Sequence, residues 1–437
     1  MAGAWETSGA QRRSRPPRLD HRSQHDRQAH AEQPADSPPP SHPLSATGPA
    51  SLVGSSDQLA ELLEHLRSAG SFAFDSEFIG EMSYVPKLCL IQVATSARVA
   101  LIDPLVGFDL TPFWQILAEP GIQKIVHAGQ QDIEPVFRHI GRPAANLFDA
   151  QIAAGFAGLG YPLALAKLVN AVIDVKLTKG LTFSHWDRRP LSAQQLRYAA
   201  DDVRFLPAVR MVLGKRLETL GHAEWVAEES NSLADPSLYE FDAESAYLKI
   251  RGAGSLHARN LAILRELTLW RDQTAKVTDM PARSLLRDEV LLELSRNPVD
   301  SVENLRRVRG LPRPVESEYG EEIVAAIARG HALPPEQLPS TRFHEPTPRE
   351  KFCADALWAS AQCLCAGRQI DPNAVTSRQE IGEIYRCYLA GQETDDFRLM
   401  RGWRREALGQ HIIELLAGKL RLSAKWVDGA LALDKGD

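Results

Sequence analysis

Along this chain the mixture of hydrophobic periods gives way to a single one near residue 240. Before it, short runs rich in β-branched and aliphatic residues alternate with longer helical patterns; beyond it the strand signal disappears. Period is the primary local signal of secondary structure, so the change divides the chain into an α/β part and an all-α part. Phe72 to Glu77, Leu88 to Ala94 and Arg98 to Asp103 read as three strands, broken by Gly80, Pro86 and Ser96. Connections this short favour an antiparallel meander. The period then lengthens: Leu110 to Leu117 is a helix, Lys124 to His127 a strand, Asp132 to His139 a helix, Leu147-Phe148 a strand end, and Ala150 to Ala157 and Leu163 to Val172 are helices. The sum is a mixed sheet flanked by helices. Ser192 to Leu220 follows as a long helical stretch, with Ser192 as N-cap, Gln195 as its capping-box partner, and Pro207 kinking or dividing it.

Beyond 240, four or five helices are expected: Leu256 to Lys276, Pro281 to Leu286, Asp288 to Ser295, Val302 to Val308 and Glu316 to Arg329. Pro334-Pro335 and Pro339 mark a linker before a second helical block, from Arg349 to about Leu433. At the other end, residues 1–50 hold six arginines, four histidines and almost no bulky aliphatics. Such a segment cannot bury enough surface to offset its ordering entropy and is expected to be disordered. The 437 residues thus divide into a tail (1–50), an α/β domain (51–225) and two helical domains (240–331 and 345–437). The absence of any run of 18 apolar residues argues against a membrane span. Five cysteines, an odd and sparse set for this length, suggest reduced thiols in a cytosolic setting. Cys363 and Cys365 are too close, and lack a matching His/Cys pair, for a tetrahedral zinc site, and read as buried structural thiols.

The net charge of -6 gives no bulk cationic field, so a nucleic-acid partner must be met by local patches. Residues 51–230 carry 16 Lys+Arg against 20 Asp+Glu, whereas 241–330 balance at 14 against 14. Surplus acid in the α/β part fits a cation site better than a DNA-coating surface. Asp75 and Glu77 alternate onto one face of the first strand, about 7 Å apart. Two like charges there are costly unless a cation lies between them, although an isolated D-x-E is more often a solvated edge. Asp132 follows a strand and the turn Ala128-Gly129 and opens a helix, where an acid in the first turn also serves the helix dipole. Tyr198 and Asp202, four apart, share a helical face, while Asp201 is rotated by about 100° and is expected to be exposed.

The order D-x-E, strand-turn-D, Y-x-x-x-D is similar to that of the 3′–5′ exonucleases of the four-acid, tyrosine-containing class, with an RNase H-like fold. Phe74-Asp-Ser-Glu-Phe78, Tyr84-Val-Pro-Lys-Leu-Cys-Leu-Ile-Gln92, Leu101-Ile-Asp-Pro104, His127-Ala-Gly129, Trp186, Arg189-Pro-Leu191 and Tyr198-Ala-Ala200 followed by Asp202-Val203 resemble, more closely, the bacterial ribonuclease D family. Residues 256–329 resemble the HRDC domain of that family through Trp270-Arg271, Met280-Pro-Ala-Arg283 and Asp288-Glu289. The third domain takes its HRDC-like assignment from position. The resemblance implies that Asp75, Glu77, Asp132 and Asp202 bind two divalent cations, Mg²⁺ or Mn²⁺, and that Tyr198 orients the attacking water. Hard cations of this kind prefer oxygen ligands, which accounts for carboxylates in place of His or Cys. It also implies a cytoplasmic exoribonuclease that removes nucleoside 5′-monophosphates from RNA 3′ ends, tRNA precursors among them; a monomer is favoured, although a ring of subunits would leave the same motifs.

Neighbouring residues carry two readings each. Gln92, His127, Trp186 and Arg189 are candidate RNA contacts, set against a sheet-face hydrogen bond, a backbone bond, core packing and an acid pair respectively. Asp149 either braces the site or caps the next helix. Arg283, with Arg306, Arg307 and Arg309, is a candidate for RNA-backbone contact or for surface pairing. Two other functions stand beside the first: a 3′–5′ exodeoxyribonuclease of repair type, and a catalytically silent RNA-binding module. The complete set of four acids and Tyr198 speaks against the silent module.

Overall fold

The computed structural model describes residues 41–80, 83–177, 185–339, 346–427 and 430–435; residues 1–40 of the expected tail lie outside them. Six strands make one sheet in the order β1-β4-β3-β2-β5-β6: β1 Ser51–Val53, β2 Ser71–Ile79, β3 Lys87–Ala94, β4 Val99–Ile102, β5 Gln123–Val126 and β6 Leu147–Asp149. β2, β3 and β4 form the antiparallel meander that their short loops favour. β5 and β6 follow helices α2 (Thr111–Leu117) and α3 (Gln130–Ile140) and return parallel, β5 beside β2 and β6 beside β5. Strand β1 and helix α1 (Ser56–Ala69) go beyond the sequence reading. Leu59, Leu62, Leu63 and Leu66, all buried, carry the helical spacing of α1.

Alternation along β2 sorts its side chains. Phe72 and Phe74 enter a core with Ile91, Val93, Phe113, Val126, Ile133 and Val136, under α1, α2 and α3. Asp75 and Glu77 take the other face, where α6 (Ala193–Arg204) lies across β2, β3 and β4. α6 opens on the capping box of Ser192 and Gln195, and Pro207 divides the long helical stretch, falling in the first turn of α7 (Leu206–Leu220). Contrary to the expectation of exposure, Asp201 is buried and pairs with buried Arg204. The reason lies in residues 41–50, which pack on this face: the Arg204 guanidinium donates to the carbonyls of Ala46 (2.7 Å) and Gly48 (2.9 Å). The end of the expected tail is therefore part of the fold.

The first helical block has its own core, built from α9 (Ala258–Val277), α10 (Ala282–Leu285), α11 (Asp288–Arg296), α12 (Val302–Leu305) and α13 (Arg313–Ala332). At the crossing of α13 with α9 a Cβ on Gly330 would stand 2.5 Å from the Ile263 Cα, so a residue without a side chain lets the backbones approach. The second block, which opens with α14 (Pro348–Gly367), shares its core with the α/β part. Trp403 packs edge-on against Phe156 of α4 (Ala150–Phe156) at 4.7 Å and near Trp225 of α8 (Ala223–Ser232) at 6.0 Å. Trp403 and Arg404 both donate to Glu229 of α8.

Strand does return after 240: Leu422–Val427 and Ala430–Lys435 pair antiparallel. Their short alternating patterns flank Asp428-Gly429, a dipeptide favoured in tight hairpin turns, and this local signal was outweighed by the helical periodicity before it. The five cysteines are all free; Cys365 is buried and Cys363 half-buried. Among the described residues no helix is long and apolar enough to cross a membrane.

Candidate active site

The site forms where β2 ends beneath α6. Asp75 and Glu77 project from β2, and Asp202 comes down from α6, so that each offers a carboxylate oxygen within 4.8 Å of the other two. Tyr198, one helical turn before Asp202, donates its hydroxyl to that carboxylate. Asp132 lies in the first turn of α3 and acts on Asp75 and Glu77 through its charge, while its own Oδ1 accepts a hydrogen bond from the Ser76 hydroxyl. The structure thus gathers three of the four expected acids into one cluster and sets the fourth beside them, engaged by a serine on the other face of β2.

The electrostatics follow from burial first and from that crowding second. Burial, then the charges of Asp132, Asp202 and Glu77, raises the Asp75 carboxyl well above the usual range. Burial, then Asp202 and Asp132, pushes Glu77 up to about 8. Burial pushes Asp132 up to about 7 against the pull of Ser76, and Asp202 up to about 7 against its bond from Tyr198. Tyr198 is itself raised, first by burial and then by Asp202, and so keeps its proton as a hydrogen-bond donor. Buried carboxylates that hold protons near neutrality, with oxygens of three of them converging to within 4.8 Å, fit a hard divalent cation.

The candidate RNA contacts differ in burial and in pairing. Gln92 sits opposite Asp75 in the β2–β3 register, wholly buried, with no hydrogen-bond partner for either amide atom among the described residues. Trp186 is 4% exposed and packs 6.1 Å from the Tyr198 ring, supporting it from behind. Arg189 pairs with Asp103 and donates to the carbonyls of Cys89 and Trp186. His127 bonds the Leu163 carbonyl, and burial lowers its pKa and keeps it neutral. Arg283 is exposed and paired with Asp288 at 3.0 Å. Arg306 and Arg313 share Glu316, whereas Arg307 and Arg309 are exposed and have no acidic partner among the described residues.

Two features escaped the sequence. Ser76 lies between the paired acids, and alternation gave it no reason to meet a carboxylate from another element. Tyr84, in the loop between β2 and β3, donates its hydroxyl to Asp272 of α9 at 2.9 Å and its backbone N–H to Asp279 at 3.1 Å. The strand that carries the acids is thereby tied to the first helical block.

Residues 51–218 match a family model described as 3′-5′ exonuclease, and residues 260–327 match the HRDC domain model. The chain is 35% identical to the ribonuclease D of Gluconacetobacter diazotrophicus over 382 residues, 86% of this chain and 95% of that protein. With the ribonuclease D of Zymomonas mobilis the identity is 34% over 385 residues, 86% and 96% of the two chains. Among solved structures, the crystal structure of Escherichia coli RNase D, described as an exoribonuclease involved in structured RNA processing, aligns with a TM-score of 0.74 at 28% identity, covering 85% of this chain and 99% of that one.

Without a cation, Glu77, Asp132 and Asp202 keep protons up to about 7 or 8, whereas an unfolded chain releases them near 4. The stabilisation from this extra protonation is fully present below pH ~4 and is lost as pH rises through 7 to 8. In chelator the melting temperature should therefore fall between about pH 6 and about pH 8.5, and added Mg²⁺ or Mn²⁺ should raise it more at the higher pH. Differential scanning calorimetry checks this; a metal increment independent of pH would contradict it.

Proposed function

As the chain belongs to the ribonuclease D family and is a 3′–5′ exoribonuclease, we propose that it works through two divalent cations, Mg²⁺ or Mn²⁺, held by Asp75, Glu77, Asp202 and Asp132. The observation that carries this reading is the convergence of Asp75, Glu77 and Asp202, with the Tyr198 hydroxyl on Asp202. When bound, such cations activate a water for attack on phosphorus and stabilise the leaving 3′-oxygen. Asp75, Glu77 and Asp202 supply the converging oxygens, and Asp132 completes the set. Tyr198 keeps its proton and orients the attacking water by hydrogen bonding; it is not the base that deprotonates it. The buried Trp186 ring lies 6.1 Å from the Tyr198 ring. The product of each cycle is a nucleoside 5′-monophosphate, and the shortened 3′ end re-enters the site.

For substrate, we infer RNAs with a folded body and a short 3′ tail, tRNA precursors among them. The structured-RNA processing of the Escherichia coli relative supports this, as does a first helical block fixed to the catalytic strand through Tyr84. In that block Arg307 and Arg309 are among the exposed arginines without an acidic partner in the described residues, whereas Arg283, Arg306 and Arg313 have one.

Purified protein incubated with 5′-labelled RNA and DNA, with and without Mn²⁺, should shorten RNA stepwise and only with metal. Asp202→Asn should lower that rate by at least ~10³-fold without unfolding the protein. Wild-type activity in this variant would remove the metal assignment, and equal hydrolysis of DNA would remove the RNA assignment. The double change Arg307→Glu, Arg309→Glu should raise KM on a tRNA precursor and flatten its salt dependence, leaving kcat on a short single strand unchanged. An unchanged KM would exclude these arginines from the RNA path.

A further inference from the structure

Asp132 reaches the site from a turn that is hard to hold. Ala128 has φ 56°, a left-handed conformation unfavourable for alanine. Gly129 allows no side chain, because a Cβ there would stand 2.5 Å from the Val126 Cβ. The Asp132 N–H bonds the Gly129 carbonyl at 3.1 Å, so the backbone of the acid hangs directly on this turn.

One buried carboxylate, 2% exposed, fixes the turn from the neighbouring strand. Asp149 Oδ1 accepts from the N–H of Ala128 at 3.1 Å, and Oδ2 accepts from that of Gly129 at 3.1 Å. The same Oδ1 accepts from Gln151 at 2.8 Å and Ile152 at 3.3 Å, the first turn of α4. Four backbone donors thus converge on two oxygens. An ionised carboxylate offers acceptors alone, whereas an amide would turn its NH₂ toward at least one of these N–H groups. Asp149 is in turn held from α8: its own N–H donates to Ser230 Oγ at 3.1 Å, and the Leu147 N–H donates to Asn231 Oδ1 at 3.0 Å. Both bonds satisfy the outer edge of β6, which otherwise presents unpaired donors.

We propose that Asp149 is a positioning residue for phosphodiester hydrolysis, holding the Ala128-Gly129 turn so that Asp132 stands beside Asp75 and Glu77. Helix capping alone requires only the bonds to Gln151 and Ile152; the bonds to Ala128 and Gly129 reach into a different loop, the one that carries the acid. The inference rests on the assignment of Asp132 to the metal-binding set.

The test compares the full-length wild type with Asp149→Asn, Asp149→Glu and Asp132→Ala. It reads kcat and KM on single-stranded RNA, Mn²⁺ affinity by calorimetry, melting temperature, and hydrogen exchange at residues 128–129. Asp149→Asn should lower kcat by about 10²-fold with KM changed less than about twofold. It should weaken Mn²⁺ binding by about 10- to 100-fold and speed exchange at the turn. Asp149→Glu keeps the charge but displaces the oxygens, so it should lose the same functions, and it decides the matter if the Asn variant does not fold. Wild-type kcat and Mn²⁺ affinity in a folded Asp149 variant would overturn the proposal, as would a loss of activity that merely follows the fraction unfolded. An active Asp132→Ala would instead remove the assignment beneath it, whereas an inactive Asp132→Ala beside a wild-type-like Asp149→Asn would overturn this inference alone.

Discussion

Crowding of four carboxylates at the end of β2 is the constraint on which the rest of the structure turns. Like charges a few ångströms apart in a partly buried pocket cannot all ionise without a countercharge. Among the described residues the Tyr198 hydroxyl donates to Asp202 and the Ser76 hydroxyl to Asp132, and no basic side chain is paired with Asp75, Glu77, Asp132 or Asp202; Arg189 is engaged by Asp103. A chain that retains this arrangement keeps an electrostatically unfavourable site, in the way functional sites often do. Divalent-cation dependence of the 3′–5′ exonuclease family gives the arrangement its purpose, and the same dependence explains why an acidic domain can act on a polyanion.

The four acids come from three elements, β2, α3 and α6, and each element is held by something outside it. β2 is central in the sheet; α6 is fixed at its start by a capping box and further along by Arg204 on the backbone of residues 46–48; α3 depends on the turn that Asp149 binds. α8 closes the edge of β6 and also receives Trp403 and Arg404 through Glu229. The second helical block is therefore continuous with the catalytic core through packing, whereas the first keeps its own core and meets the catalytic strand through Tyr84.

Much of this was legible in the sequence because it is local. The meander of β2 to β4, the Ser192 capping box, the division at Pro207 and the helices around α9 and α13 all follow from period, caps and breakers within a few residues. Tyr198 and Asp202 were paired by helical spacing alone. What was missed is non-local. Asp201 was expected to be exposed because its neighbours on α6 say nothing of residues 41–50, which cover it. The burial of Gln92 and Trp186 likewise comes from tertiary packing that their sequence neighbours do not reveal. α1 and the hairpin of Leu422–Val427 and Ala430–Lys435 had local signals that stronger neighbouring patterns obscured.

The central claim is that these acids form one site for two cations. Electron paramagnetic resonance of Mn²⁺ titrated into the metal-free protein tests it most directly. The account predicts two Mn²⁺ per chain, magnetically coupled as expected for ions about 4 Å apart, and loss of the coupled signal in Glu77→Gln. A single uncoupled Mn²⁺, or a coupled pair unaffected by Glu77→Gln, would contradict it.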